Sequence, residues 1–336
     1  MKYQAYAADL AEGKLSIRDW ELGELGPNEV DIDVDYCGLC HSDVSMLKNH
    51  WEMTGYPIVP GHEVVGRVSA KGKSVAHLEV GQRVGLGWLA GSCGTCQPCL
   101  GGHQNLCADS KGTIVGRAGG FAESVRAEAL WAIPLPDGVD SEAAGPLFCG
   151  GITVFNPIVQ NNISPMDRVA VVGIGGLGHM ALQFLNKWGC EVTAFSTSPD
   201  KEDQARELGA HHFVNSRDDS QLDKVAGSYD LILSTVNVEL DWEKYVAALR
   251  PQGTLHLVGA APKVESSVFA LIQGQKSISA SPVGSPGITA RMVEFSARHQ
   301  IAPKVEVMPM SQINEAFDKL EKDKPAHRIV LKADFN

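Results

Sequence analysis

The chain has 336 residues, which is long enough for two domains that each bury a core of their own. With 44% hydrophobic and 21% charged residues, its composition is that of an ordinary globular protein. The formal net charge of -11 argues against a nucleic-acid or anionic-membrane partner, because phosphate contacts require a surplus of lysine and arginine. No apolar run reaches the length of a membrane span and the first residues lack the apolar core of a signal peptide, so the expected location is the cytoplasm.

The predicted elements change in kind near Cys149. The residues before it form short apolar segments broken by glycine and proline, which predicts an irregular, mostly β domain. After it, apolar strands alternate with segments of helical period, which is typical of a doubly wound parallel sheet. The last residues contain two helical stretches and a final strand, HRIVLKAD, that we expect to return to the first domain. The predicted domains are therefore residues 1–148 with 287–336, and residues 149–286.

A glycine-rich turn lies between the predicted strand 168–172 and a predicted helix, and it reads Gly173-Ile174-Gly175-Gly176-Leu177-Gly178. In this position a GxGxxG pattern is typical of dinucleotide-binding folds, since glycines allow the tight turn and the approach of a pyrophosphate to the helix N-terminus. A glycine-rich turn that binds no ligand is the alternative.

The end of the next strand determines which nicotinamide cofactor is favoured. An acidic residue there would accept hydrogen bonds from the ribose hydroxyls of NAD. This chain instead has Ser196, followed by Thr197 and Ser198, with Lys201 nearby. The absence of a repelling carboxylate, the hydroxyl donors and the cation favour NADP(H). Ordinary turn serines and a solvated lysine are the alternative.

Four of the eight cysteines form the strongest local pattern: Cys93, Cys96, Cys99 and Cys107. Thiolates at this spacing can surround one tetrahedral zinc ion and leave no open position, which is typical of a structural site. An iron–sulfur cluster and a metal-free thiol cluster are the alternatives, but no second cysteine-rich cluster accompanies this one.

A second zinc site requires ligands from separated segments. A catalytic zinc needs about three protein ligands and an exchangeable position. Cys40, His62 and Cys149 could supply them, with Glu63 as an alternate ligand. Spacing alone leaves open that these residues are ordinary buried side chains.

Several motifs occur in an order that resembles one family: CGLCHSD, PGHEVVGRV, the four-cysteine segment, PLFCGGITVF and VVGIGGLGHMALQF. Over essentially its whole length the chain is similar to zinc-dependent medium-chain alcohol dehydrogenases. The motifs look closest to the cinnamyl alcohol dehydrogenase-like branch, which includes NADPH-dependent aldehyde reductases. The resemblance implies an α/β protein with a GroES-like, mostly β catalytic domain and a Rossmann domain.

The resemblance also implies roles for individual residues. It makes Cys40, His62 and Cys149 the ligands of a catalytic zinc, with Glu63 as an exchanging carboxylate and Asp43 as the carboxylate that holds the histidine. It makes the four-cysteine segment the site of a second, structural zinc. It places Ser42 where a hydroxyl takes the substrate proton and His41 near the cofactor phosphates. Residues near the nicotinamide would be Thr153, Val258, Val283 and Gly284. Residues lining the substrate cleft would be Trp51, Trp88 and Leu89.

Three further positions match no family ligand or depart from the family pattern. Cys37 and Cys190 correspond to no ligand, so both are expected to be packed thiols. Ser45 stands where many members have a histidine that ends the proton relay, and a serine cannot store a proton near neutral pH as imidazole does. Water or another group would then have to complete the relay.

The expected function is hydride transfer between NADP(H) and a primary alcohol or aldehyde, aromatic or medium-chain aliphatic. Within the same superfamily, the alternative is an NAD-dependent zinc dehydrogenase of polyols or secondary alcohols. From a different class, the alternative is a non-catalytic regulator that binds zinc and a nucleotide. By analogy with the family, the chain is expected to form a homodimer.

Overall fold

The computed structural model describes residues 2–322 and 328–335, so His327 of the predicted last strand lies outside them. The strands are β1 Lys2–Ala7, β2 Ser16–Glu21, β3 Glu29–Leu39, β4 Glu63–Lys71, β5 Arg83–Leu86, β6 Leu89–Gly91, β7 Lys111–Gly112, β8 Ser124–Glu128, β9 Ile133–Pro134, β10 Arg168–Val172, β11 Glu191–Ser196, β12 His212–Asn215, β13 Tyr229–Ser234, β14 Leu249–Leu257, β15 Ser277–Ala280, β16 Val305–Pro309 and β17 Arg328–Lys332. The α-helices are α1 His41–Leu47, α2 Gln97–Leu100, α3 Ser141–Ala144, α4 Gly150–Gln160, α5 Gly178–Trp188, α6 Glu202–Glu207, α7 Asp219–Lys224, α8 Trp242–Ala248, α9 Val268–Gly274, α10 Pro286–His299 and α11 Ile313–Lys322.

One compact unit contains residues 1–149 and 284–336. Its largest sheet has the strand order β16-β17-β3-β4-β5-β9, and β8 pairs with β3 as well. β3 follows the period of a strand: Val30, Ile32 and Val34 are buried while Asp33 is exposed. The late strand β17 pairs antiparallel with β3, so the end of the chain is hydrogen-bonded to the strand that leads into α1.

The other compact unit contains residues 150–283. Its six strands are parallel, in the order β12-β11-β10-β13-β14-β15, so the predicted doubly wound parallel sheet is confirmed. The strand order reverses between β10 and β13, and in open α/β sheets ligands bind at the carboxyl ends of the strands beside such a point. β10 is apolar and buried from Val169 to Val172, as a strand covered on both faces should be.

Some elements differ from the sequence-based expectation. The helix predicted to reach Arg250 ends at Ala248, and β14 begins at once and runs through the predicted turn at residues 251–253. The register of the pairing between β13 and β14 shifts over this stretch, and Gln252 has a φ of 66°. The turn residues are therefore accommodated as a bulge inside the strand.

Helix α9 and strand β16 were not predicted. α9 contains no fully buried residue, although Ala270 and Leu271 pack against the core of this unit. None of the helices that the structure describes is long and apolar enough to cross a membrane.

Candidate active site and metal centres

Cys40, His62, Glu63 and Cys149 form a cluster whose potential ligand atoms all lie within 4.8 Å of one another. His62 Nε2 is 3.2 Å from Cys149 Sγ, and the sulfurs of Cys40 and Cys149 are 3.9 Å apart. Two thiols and an imidazole are donors that zinc prefers. The structure thus brings together the residues expected to form the catalytic metal site, and we call them the catalytic cluster.

The antiparallel pairing of β3 with β4 positions most of the catalytic cluster. Cys40 follows the end of β3 and is the N-cap of α1, while Glu63 begins β4 opposite Gly38. A Cβ at Gly38 would lie 2.0 Å from Glu63 Oε2, so a side chain there would displace the carboxylate. Cys149 reaches the cluster after the 3₁₀ turn of residues 145–148.

Asp43 holds the imidazole of the catalytic cluster. Its Oδ1 lies 2.9 Å from His62 Nδ1 and accepts a hydrogen bond from Gly61 N at 2.9 Å. Burial favours the neutral imidazole, but Asp43 and the neighbouring Cys40 raise the pKa of His62 well above its usual value. With Nδ1 engaged by a carboxylate, Nε2 remains directed toward the thiols, as in metal-binding histidines.

The thiol of Cys40 is shifted toward its ionised form. The hydrogen bond from Cys149 holds the pKa of Cys40 well below its usual range. The thiolate is the form of cysteine that binds a metal, so this shift suits Cys40 to the role of a ligand.

Glu63 is completely buried beside Arg328 of β17. The Arg328 guanidinium donates a hydrogen bond to Glu63 Oε1, and Oε2 has no hydrogen-bond partner among the described residues. Burial raises the pKa of Glu63 to about 7, although Arg328 opposes this. A buried carboxylate oxygen without a partner is suited to receive a cation.

Arg328 was missed by the sequence-based reasoning. It is 265 residues from Glu63 in the chain and belongs to no local motif. The only signal was the prediction that the last strand returns to the first domain, which did not specify the neighbour of Glu63.

The four cysteines Cys93, Cys96, Cys99 and Cys107 form the second cluster, with sulfur atoms all within 4.8 Å of one another. Cys93 and Cys99 are 3.9 Å apart, and Cys96 and Cys107 are 3.8 Å apart. The amide N–H groups of Thr95 and Cys96 lower the pKa of Cys93 to about 6. Four sulfurs fill a tetrahedron and leave no position for a substrate, so the geometry fits a structural zinc.

The predicted proton-relay residues lie along α1. Ser42 is half-buried, and its Oγ is 3.8 Å from Cys40 Sγ. His41 is exposed and Ser45 is half-buried. His50 is exposed after the helix, and its N–H donates to the Ser45 carbonyl at 2.9 Å.

Neither Cys37 nor Cys190 belongs to a metal-binding cluster of the described residues, and both are buried. Cys37 lies within β3, and its sulfur packs closely against Gly61. A Cβ placed at Gly61 would come 3.0 Å from this sulfur. Both thiols therefore occupy packed positions.

An aromatic pair extends outward from the catalytic cluster. The Trp88 ring meets the His62 ring edge-on, with centroids 5.0 Å apart. The Trp51 ring meets Trp88 in the same way at 5.7 Å. Leu89 is buried at the start of β6, next to Trp88. The residues expected to line a substrate cleft are therefore adjacent to a candidate metal ligand.

The glycine-rich turn of the other unit has the conformation that its sequence predicts. Gly173 has a φ of 91°, and a Cβ at Gly178 would lie 1.8 Å from the Gly173 carbonyl oxygen. A Cβ at Gly175 would meet nothing within 4 Å, so the turn is open on that side. This arrangement fits a turn that receives a phosphate group.

Lys201 reaches back to this turn and donates a hydrogen bond from Nζ to the Ile174 carbonyl at 3.1 Å. Ser196 ends β11, and its Oγ accepts a hydrogen bond from Ser198 N at 3.1 Å. Thr197 between them is exposed. The cation and the serines thus lie at the end of the second strand of the sheet, beside the glycine-rich turn.

The remaining residues expected near the nicotinamide follow helix or strand ends. Thr153 is in the first turn of α4, and Val258 follows β14 and donates its N–H to the Ser234 carbonyl. Val283 and Gly284 follow β15.

Comparisons with known proteins agree with this geometry. Residues 26–137 match the alcohol dehydrogenase GroES-like domain, and residues 176–298 match the zinc-binding dehydrogenase family. The chain is 52% identical to the aldehyde reductase AdhA of Synechocystis over 329 residues, 98% of each chain.

Two solved structures are similar along the whole chain. A cinnamyl alcohol dehydrogenase of Sorghum bicolor has 35% identity and a TM-score of 0.92, and covers 99% of this chain and 98% of its own. The Helicobacter pylori CAD, solved with NADP(H), has 28% identity and a TM-score of 0.88, with the same coverage.

Proposed function

Because this chain belongs to the zinc-binding alcohol dehydrogenase family, and is an oxidoreductase of its cinnamyl alcohol dehydrogenase-like branch, we propose that it transfers hydride between NADP(H) and a primary alcohol or aldehyde. The substrates we propose are aromatic or medium-chain aliphatic. The observation that carries this proposal is the convergence of Cys40, His62 and Cys149 beside Trp88.

We propose two zinc ions per chain. Cys40, His62 and Cys149 would hold one of them, with Glu63 available as a further donor, and the four-cysteine cluster would hold the other. Zinc supplies Lewis acidity toward a substrate oxygen, and the nicotinamide supplies or accepts the hydride. Asp43 keeps the imidazole oriented, and Trp88 covers one edge of that ring and limits the access of water.

Ser42 carries the proton in this proposal. Its hydroxyl is next to Cys40, on the first turn of α1, where it can donate to or accept from a substrate oxygen beside the metal ligands. Ser45 lies one turn further along the same helix but exchanges protons only with a partner. We therefore propose that water completes the relay.

The preference for NADP(H) rests on Lys201 and Ser196. Lys201 lies over the glycine-rich turn and Ser196 replaces the acidic residue that selects NAD, so a 2′-phosphate meets a cation and no repulsion. In this proposal the exposed hydroxyl of Thr197 is an additional donor toward the 2′-phosphate.

The experiment combines an NADPH-oxidation assay over a panel of aldehydes with a zinc analysis. We expect aldehyde reduction, a higher kcat/KM with NADPH than with NADH, and about two zinc ions per chain. Preference for NADH with polyols or secondary alcohols would favour the alternative dehydrogenase class. Zinc and nucleotide binding without turnover would favour a regulator.

We also propose a homodimer. β15 is the last strand of its sheet, and the neighbouring α9 exposes Val268, Phe269 and Ile272, with Phe269 66% exposed. An open strand edge beside an apolar helix face is a surface that proteins normally cover. Sedimentation equilibrium tests this, and a monomer at micromolar concentration would reject it.

All eight cysteines are free thiols, which is compatible with the cytoplasmic location we propose.

A further inference from the structure

The loop of residues 48–56 closes onto the end of α1. The last turn of a helix leaves carbonyl groups without partners inside the helix. Here the Met46 carbonyl accepts a hydrogen bond from Thr54 Oγ1 at 2.7 Å, and the Leu47 carbonyl accepts one from Tyr56 Oη at 2.8 Å. The loop therefore terminates the helix and is held by it.

Thr54 fixes the loop at two points. Besides its hydroxyl bond to Met46, its backbone N–H donates to Asn49 Oδ1 at 3.0 Å. Asn49 and Glu52 each have a φ of 55°, the left-handed region that residues other than glycine adopt at a cost. Such a conformation persists where its surroundings hold it. The Thr54 N–H holds the Asn49 side chain, and the Glu52 N–H donates to the Asn49 carbonyl at 3.1 Å.

Trp51 lies between those two left-handed residues. It is 44% exposed, and its ring contacts Trp88, which contacts His62 in turn. Cys40 is the N-cap of α1, so one short helix joins a proposed zinc ligand at its start to the Trp51 loop at its end. The distance of the outer ring from the metal ligands thus depends on the conformation of this loop.

We propose that Thr54, acting with Asn49, is a positioning residue that determines substrate selectivity by holding Trp51 against Trp88. This inference rests on the proposed function. Thr54 is not a catalytic residue, since its hydroxyl is used within the loop. A flat aromatic aldehyde can pack on the exposed face of a fixed indole, whereas acetaldehyde is too small to gain from that surface.

The test compares Thr54→Val, which keeps the shape and removes the hydroxyl donor, with Thr54→Ser, which keeps the donor. Ser296→Ala is the matched control, because Ser296 Oγ donates to the Met292 carbonyl at 2.9 Å inside α10. The kcat and KM values are measured for benzaldehyde and acetaldehyde at saturating NADPH. Acrylamide quenching, read as the difference from Trp51→Phe in each background, reports the exposure of Trp51.

We expect Thr54→Val to raise the KM for benzaldehyde about fivefold, the size of one aromatic contact, and to leave kcat/KM for acetaldehyde within about twofold. Thr54→Ser and Ser296→Ala should match the wild type. Asn49→Gly keeps the φ of 55° accessible and removes the acceptor of the Thr54 N–H. It should likewise lower the ratio of kcat/KM for benzaldehyde to kcat/KM for acetaldehyde.

An unchanged benzaldehyde-to-acetaldehyde ratio in Thr54→Val and Asn49→Gly would overturn the inference, as would an equal loss for both aldehydes. If Thr54→Val fails to fold, Asn49→Gly decides alone. A wild-type chain that reduces neither aldehyde rejects the proposed function instead. In that case acrylamide quenching tests whether Thr54 positions Trp51. Unchanged exposure of Trp51 in Thr54→Val and Asn49→Gly would overturn the positioning role.

Discussion

Asp43 Oδ1 lies 2.9 Å from His62 Nδ1, and both side chains are completely buried. The second oxygen of the same carboxylate accepts the Cys40 N–H at 3.0 Å. The carboxylate of Asp43 therefore links the segment of Cys40 to the segment of His62. Its removal should loosen the metal site without removing a ligand.

Asp43→Asn should weaken zinc binding at the catalytic cluster by about 10- to 100-fold, because the imidazole loses the anion that orients it. Competition with a chelator measures this affinity. Asp33→Asn is the matched control, since Asp33 is exposed on β3. Equal zinc affinity of the two variants would contradict the role of Asp43.

Ser42→Ala should lower kcat on the order of 100-fold while zinc content stays at the wild-type value, because in the proposed function the hydroxyl moves a proton and binds no metal. Turnover at saturating NADPH and metal analysis of the same sample test both statements. Turnover near the wild-type rate would reject Ser42 as the proton donor.

Ser45→His should introduce a pH dependence near neutrality into alcohol oxidation. An imidazole can store the proton that a hydroxyl only exchanges. The side chain at this position is half-buried and lies one turn after Ser42 on α1. The measurement is kcat/KM for the alcohol from about pH 6 to about pH 9, a range that includes the ordinary histidine pKa. A profile identical to the wild type would show that position 45 is outside the relay.

Lys201→Gln should raise the KM for NADPH by about tenfold and leave the KM for NADH nearly unchanged. The reason is that only NADPH carries the 2′-phosphate, which we propose pairs with the Lys201 ammonium group. NADH is the internal control. Ser196→Asp should shift the preference toward NADH by restoring the acidic residue. Equal effects of Lys201→Gln on both cofactors would indicate loss of the glycine-rich turn, since Lys201 also bonds Ile174.

His256 should make the protein less stable in mild acid. It is completely buried on β14, with Nδ1 2.8 Å from Ser279 Oγ and Nε2 2.9 Å from Ser281 Oγ. Burial lowers the pKa of His256 to about 4, from an ordinary value of 6.5. Above pH 6.5 the imidazole is neutral in both states and costs nothing.

As the pH falls below that value, the unfolded chain binds a proton that the folded chain refuses. Stability should then decrease by about 1.4 kcal/mol per pH unit until the folded pKa is reached. Urea unfolding at about pH 7 and pH 5 measures the loss, with His256→Gln as the variant that should lose less. His50→Gln, at an exposed histidine after α1, is the control. Equal acid sensitivity of His256→Gln and the wild type would contradict the assignment.

Some features were readable from the sequence because their physics is local. Gly173 to Gly178 sits between a strand and a helix, and the four cysteines lie within one short segment, so spacing alone limits what each group can bind. The parallel sheet followed from the alternation of strands and helices, the family and its two fold types followed from the resemblance of the motifs, and all are confirmed. The bulge in β14 could not be predicted in this way, because pairing with β13 overrides the local preference for a turn. Helix α9 could not be predicted either, because several of its apolar side chains are exposed.

Tertiary structure alone decided which distant groups are neighbours. Arg328 reaches Glu63 because β17 pairs with β3, and Trp51 reaches His62 through Trp88 because a loop folds onto the end of α1. Neither relationship has a fixed spacing in the chain, so local spacing could not specify these contacts, although the family resemblance had placed Trp51 and Trp88 in one cleft. The residue types determined the available chemistry, whereas long-range strand pairing and loop hydrogen bonds determined which side chains surround it.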